Sequence, residues 1–123
     1  MFFKKAAAGR KNPETEIQNA VRNELRKDGW MVIRHQQGLG AYKGFADLTA
    51  VKDGKTIYVE IKTPTGRLSD WQKQFKHDIE AHGAQYIVCR SVEDITPYLT
   101  STQQVIFDQE EKNNGQRNKT NHL

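Results

Sequence analysis

Glu60 and Lys62 stand one residue apart in TIYVEIKT (residues 56–63), and Asp47 lies in the preceding segment FADLTAV (45–51). Two carboxylates and an ammonium are side chains that can hold a divalent cation and a water against a phosphodiester, provided they meet. Whether they meet depends on strand register. Ile57, Val59 and Ile61 alternate with Tyr58, Glu60 and Lys62, which predicts a strand with one apolar face. Asp53-Gly54 between two alternating segments is a strong hairpin signal. With a two-residue type I′ loop, Lys52 faces Lys55, Leu48 faces Val59, Asp47 faces Glu60 and Ala46 faces Ile61. One face then carries Ala46, Leu48, Ala50, Ile57, Val59 and Ile61, and the other Asp47, Thr49, Tyr58, Glu60 and Lys62. A slip of one residue would bury the polar set, so the pattern selects this register.

In that register two carboxylates oppose each other with Cβ atoms ~4.5–5.5 Å apart, an arrangement that destabilises a sheet. Lys62 offsets the repulsion in part, and a divalent cation does so better. Carboxylate oxygens with waters and phosphate suit Mg²⁺ or Mn²⁺. Such an ion polarises a phosphodiester, acidifies a bound water and stabilises the leaving oxygen, and Lys62 would hold or deprotonate the attacking water. The plainer alternative is a solvated strand face. Glu-x-Lys alone arises often by accident, but an Asp opposite it across an Asp-Gly hairpin does not. A third acid is available on the first helix. Glu14 continues the stripe of Ile17 and Val21, whereas Glu16 points roughly 100° away. Both acids also suit the positive end of a helix dipole. Gln72 completes a capping box with Ser69 in SDWQ, which accounts for both without any chemistry.

These residues need a scaffold. The chain has 123 residues, enough for one domain with a core. Charged residues make up 28% and hydrophobic ones 36%, a soluble globular balance. No run approaches the ~18 apolar residues of a membrane span, and the start lacks a secretory h-region. One cysteine, Cys89, excludes an internal disulfide and points to a reducing, cytoplasmic setting. Within AQYIVCR it reads as a buried, inert thiol. The net charge of +4 leans toward a polyanionic partner.

Residues 1–12 read as a basic arm, 13–107 as the folded domain and 108–123 as a polar, Asn-rich tail. Asn12, Pro13 and Gly29 bracket a helix with an Ile17, Val21 and Leu25 stripe. Strands are expected at 30–36, 45–51, 56–63 and 84–90, with a glycine loop at 37–44. A helix over 69–83 carries a Trp71, Phe75 and Ile79 stripe. A short helix at 91–99 is interrupted or ended by Pro97, and VIF at 105–107 is a weak strand. The fold class is α/β: a mixed central sheet flanked by helices, with an αβββαβ core.

With these pieces in order, the chain resembles the VRR-NUC domain, the virus-type replication-repair nuclease branch of the PD-(D/E)XK superfamily. ETEIQNAVRNELRKDGW is similar to the family's opening helix, GFAD to its glycine-x-proline-aspartate and VEIKTPTGR to its valine-glutamate-x-lysine segment. Gln72 falls where the family has a glutamine, and VCRSVEDITPYL resembles the closing strand and helix. The resemblance runs from about Glu14 to Leu99. It implies a restriction-endonuclease-like sheet in which Asp47, Glu60 and the Ile61 carbonyl bind Mg²⁺ or Mn²⁺. It further implies that Lys62 positions the water, Glu14 adds an outer acid and Gln72 supports the site. Ala46 replaces the family's proline, which changes backbone restraint but removes no ligand. Lys43, Arg67, Lys73 and Lys76 are placed to meet DNA phosphates, or are ordinary solvated charge. The four histidines show no zinc spacing. The expectation is therefore a Mg²⁺/Mn²⁺-dependent DNA endonuclease. By the resemblance it is a homodimer of viral or bacterial type acting on branched DNA such as four-way (Holliday) junctions. Alternatives are a nuclease for flaps or ordinary duplex, and a catalytically silent DNA-binding module.

Overall fold

Asp53 and Gly54 both take positive φ, 51° and 77°, which is the conformation a two-residue type I′ hairpin demands. The computed structural model describes residues 12–100; the expected arm up to residue 11, the VIF strand and the polar tail lie outside them. The elements are α1 (Pro13–Lys27), β1 (Met31–Arg34), β2 (Leu48–Lys52), β3 (Lys55–Ile61), α2 (Asp70–Ala81), β4 (Gln85–Cys89) and a 3₁₀ helix (Val92–Tyr98). The strands lie in the order β1-β2-β3-β4, antiparallel except that β4 runs parallel to β3 after the α2 crossover. This is the expected mixed sheet with an αβββαβ order. The hairpin pairs Lys52 with Lys55 and Leu48 with Val59, the register that alternation dictates.

Both helices begin where side chains satisfy free amides. The Asn12 side chain accepts from the Thr15 amide at 2.7 Å, and Pro13 fills the first turn. Ser69 and Gln72 form a complete capping box at the start of α2. The α1 stripe of Val21 and Leu25 packs on Leu48, Ala50, Ile57, Val59 and Ile61, with Ile87, Cys89 and Ile95 completing that cluster. Burying each large aliphatic side chain there contributes ~1.5–3 kcal/mol. The opposite face is also covered. Phe75 of α2 packs with Ala46 and Tyr86, and Phe45, Tyr58, Leu68, Ile79 and Val88 surround them.

Several boundaries differ from the sequence expectation. β2 begins at Leu48, not at residue 45, and Ala46 joins the second cluster instead of the face of Leu48 and Ile61. The Gln37 side chain donates to the carbonyls of Phe45 (3.2 Å) and Ala46 (3.5 Å), so a side chain meets hydrogen-bonding needs that a ladder would have met. Phe45 stacks on His35 at 4.2 Å and leans on Phe75, which draws this segment toward α2. β1 is shorter than expected, and Trp30 leaves it to enter the core, its indole donating to Asp28 at 3.0 Å. Trp71 is 58% exposed and does not share the buried stripe of α2. The glycine loop lies against the Trp71 backbone through Gly44, and the indole remains outside. The last helix is 3₁₀ and contains Pro97. Among the described residues no helix is long and apolar enough to cross a membrane.

Candidate active site

At the end of β3 the sheet buries a carboxylate. Glu60 is 3% exposed, because α2 covers the face on which Tyr58 and Glu60 lie. A solvated strand face is thereby excluded. Glu60 Oε2 accepts a hydrogen bond from Gln72 Nε2 at 3.0 Å and lies 3.7 Å from Lys62 Nζ. Glu60 Oε1 is buried and, among the described residues, has no hydrogen-bond partner. Asp47 stands one step beyond the Leu48–Val59 pair. Its Oδ2 accepts the Ile61 amide at 2.8 Å, and its backbone carbonyl accepts the His35 amide at 2.9 Å. Burial first, and then the negative charge of Asp47, pushes the Glu60 carboxyl from its ordinary 4.5 up to about 8; Lys62 pulls the other way and Glu14 adds a smaller push. The ladder ends at the Leu48–Val59 pair, so Asp47 is not a paired cross-strand neighbour of Glu60, but its charge still bears on the Glu60 carboxyl.

Gln72 has two tasks. Its Oε1 accepts the Ser69 amide at 2.8 Å, which turns its NH₂ group onto Glu60. A capping box was a sufficient account of this residue from sequence; here the cap also aims the amide that grips Glu60.

Residues 8–93 match the family model of the VRR-NUC domain. The chain belongs to the VRR-NUC family. A solved structure described as a VRR_NUC domain shares the fold at a TM-score of 0.62 and 18% identity, covering 70% of this chain and 92% of that one. Comparison with curated proteins returns no match. Membership in the VRR-NUC family implies a nuclease of the PD-(D/E)XK type, with DNA as substrate and a divalent metal.

The VRR-NUC residues fit such a metal. The described residues contain no group of three or more His, Cys, Asp or Glu side chains placed to share an ion. The donor set is smaller: two neighbouring carboxylates, one with an orphaned buried oxygen, beside the backbone of Ile61. These are hard oxygen donors of the kind Mg²⁺ and Mn²⁺ take, the remaining positions going to water and substrate. Glu14 lines a polar cavity of about 180 Å³ together with Asp47 and Ile61; Glu16 does not. A larger cavity of about 570 Å³ sits at the hairpin end of the sheet, against Trp30, Ile57 and Tyr98. Among the described residues no carboxylate lines it, so its size does not make it the site.

The basic residues expected near DNA divide. Lys43 lies 4.7 Å from the centre of the Trp71 ring, a cation–π contact next to Gln72. Arg67 and Lys73 are exposed. Lys76 pairs with Glu80 at 2.7 Å along α2, so its charge is already met.

Sequence reasoning passed over other neighbours. The Tyr86 hydroxyl is buried without a hydrogen-bond partner among the described residues and held above its ordinary value by burial, then by Glu60 and Asp47. Alternation in AQYIVCR put Tyr86 and Val88 on one face, but pairing Tyr86 with Tyr58 needed the parallel crossover. Arg90 donates to the carbonyls of Thr63 (2.8 Å) and Gly66, pinning the loop that follows Lys62. Arg22 and Arg34 line the cavity of Asp47, and no sequence pattern marks them.

Proposed function

We propose that this VRR-NUC domain is a metal-dependent DNA endonuclease, selective for branched DNA such as four-way junctions and active as a homodimer. The single observation that carries the hydrolytic reading is Glu60: a buried carboxylate beside Asp47, with one oxygen that has no hydrogen-bond partner among the described residues. A fold retains such a group at a cost to stability, and a cation at that position removes the cost.

Asp47 and Glu60, with the Ile61 carbonyl, would hold Mg²⁺ or Mn²⁺. When bound, the ion supplies Lewis-acid activation of the phosphodiester and a more acidic water. Gln72 fixes the Glu60 carboxylate through Oε2 and leaves Oε1 for the ion. Lys62, partly buried at 3.7 Å from Glu60, orients the attacking water from its Nζ. Water oxygen forms the new bond to phosphorus and loses a proton to solvent, while the bond from phosphorus to the leaving sugar oxygen breaks and that oxygen takes a proton from solvent. Glu14 borders the same cavity as an outer acid. Lys43, Arg67 and Lys73 contact backbone phosphates without reading sequence. The junction preference and the dimer come from the family resemblance; two symmetric sites suit paired nicks across a symmetric junction.

A plasmid-nicking assay with Mg²⁺, Mn²⁺ or EDTA tests the class. Nicking in either metal and none in EDTA is expected. Asp47→Ala and Lys62→Ala should each lower the rate at least ~10²-fold while remaining folded. Equal inactivity in all three conditions, with DNA still bound, would favour the silent binding module. A matched set of four-way junction, flap and linear duplex then tests the substrate, and equal rates on all three would sink junction selectivity.

A further inference from the structure

Two arginines share the cavity of Asp47 and, among the described residues, form no ion pair. Arg22 projects from α1 and Arg34 from the end of β1, and both line the polar pocket bordered by Glu14, Asp47 and Ile61. Arg22 is half-buried, and its Nε is shielded from solvent with no hydrogen-bond partner. Asp47 borders the same pocket, but its Oδ2 is engaged by the Ile61 amide and, among the described residues, it forms no ion pair with either arginine. Burial, then the charges of Arg26 and Arg34, hold the Arg22 guanidinium below its ordinary value, so the two arginines sit close enough to repel. Glu14 and Asp47 line the same pocket, yet among the described residues the Arg22 Nε donor stays unpartnered beside the Arg34 guanidinium, and an oxyanion would satisfy that donor and lie between the two like charges.

We propose that Arg22 and Arg34 form a phosphate-binding site that receives a DNA backbone phosphate beside the one held at Asp47 and Glu60. A guanidinium offers a planar fork of donors that matches phosphate oxygens, which an ammonium does not. The pair approaches Asp47 from the α1 and β1 side. Gln72 approaches Glu60 from α2, and Lys62 from just past the end of β3. The DNA strand is thus gripped on both sides of the carboxylates, which sets its register relative to the bond to be cut. Arg22 and Arg34 are positioning residues: they hold a phosphate that does not react. The inference rests on the nuclease reading for the identity of the anion.

The test is DNA binding by the full chain in EDTA, followed by anisotropy of a labelled four-way junction between 50 and 200 mM salt, for Arg22→Ala, Arg22→Lys and Arg34→Ala. Each alanine variant should bind about tenfold more weakly at the low-salt end and lower the slope of log K against log salt by about 1. Arg22→Lys should restore the slope but not the full affinity. Inorganic phosphate should compete with DNA for the wild type more than for Arg22→Ala. In cleavage, KM should rise with kcat largely kept. Thermal melts identify folded variants, and exposed Arg34 carries the test if Arg22→Ala does not fold. Folded variants with wild-type affinity and slope overturn the proposal. Wild-type protein that binds but never cleaves, with variants that still lose slope, supports the phosphate site and overturns the nuclease reading alone.

Discussion

Glu60 is where function and stability conflict most plainly. Its carboxyl is pushed up to about 8 by burial and by Asp47. A raised carboxyl binds its proton more tightly in the folded chain than in the unfolded one. The contribution is therefore fully present below pH 4.5 and is lost as pH rises through about 8. At 1.36 kcal/mol per unit this amounts to roughly 3–5 kcal/mol, a large part of the 5–15 kcal/mol that stabilises a typical domain. Glu60→Gln keeps an oxygen for the Gln72 amide and removes the charge. In EDTA this variant should be the more stable protein at pH 8, by a few kcal/mol, and near wild type at pH 5. It should show no cleavage at any pH. Denaturant melts across that range check the first statement. Parallel pH profiles for the two proteins would mean that Glu60 titrates normally and that the burial argument fails.

Among the elements, the first turn of α2 is the part that aims the site. Gly44, at φ 78°, lies so close that an added Cβ would stand 2.2 Å from the Trp71 carbonyl oxygen and 2.8 Å from the Gln72 nitrogen. Backbone atoms cannot swing aside as a side chain can. Gly44→Ala should cost about 2 kcal/mol or more from strain at positive φ and this clash. It should also shift Gln72 away from Glu60. The metal concentration for half-maximal nicking should then rise 10–100-fold, as for Gln72→Ala, because both changes loosen a ligand's hydrogen-bond partner. Gly54→Ala is the control: its φ of 77° is similar, but no atom lies within 4 Å, so stability should fall slightly and metal dependence not at all. A Gly44→Ala protein with unchanged metal dependence would separate the loop from the site. The same region marks what could be read without coordinates. The hairpin register was legible because Asp53-Gly54 and the alternation around it are local signals, and Asp47 and Glu60 followed from it. The burial of Glu60 was not, since it depends on α2 lying across that face. Nor was the departure of Ala46 from β2, which turns on Gln37 reaching two carbonyls nine and eight residues away. Arg22 and Arg34 meet only after α1 packs on the sheet, and sequence spacing carries no trace of that.

At the scale of the whole molecule, Cys89 offers a single-site report on how the metal centre and the fold are coupled. It is the chain's one cysteine, fully buried at the end of β4, with its thiol pushed up to about 12 by burial and then by Asp94. It pairs with Ile61, and its carbonyl accepts the Lys62 amide at 3.0 Å. β3, which presents Glu60 and leads into Lys62, must therefore separate from β4, or the whole domain must open, before a reagent meets a thiolate. Labelling by a disulfide reagent at pH 8 should be far slower than for a free thiol and should accelerate with denaturant. An ion that binds only the folded arrangement lowers the open population by the factor 1 + [L]/Kd, which is about 2.7 kcal/mol, or a hundredfold, at a hundred times Kd. Mg²⁺ should slow labelling of the wild type by that factor and leave Glu60→Gln nearly unaffected. The comparison needs no turnover, so it reports the ion independently of any DNA substrate. If saturating Mg²⁺ leaves the wild-type rate unchanged while nicking proceeds, then Cys89 opens without breaking the site, and β4 is not part of the unit that the metal stabilises.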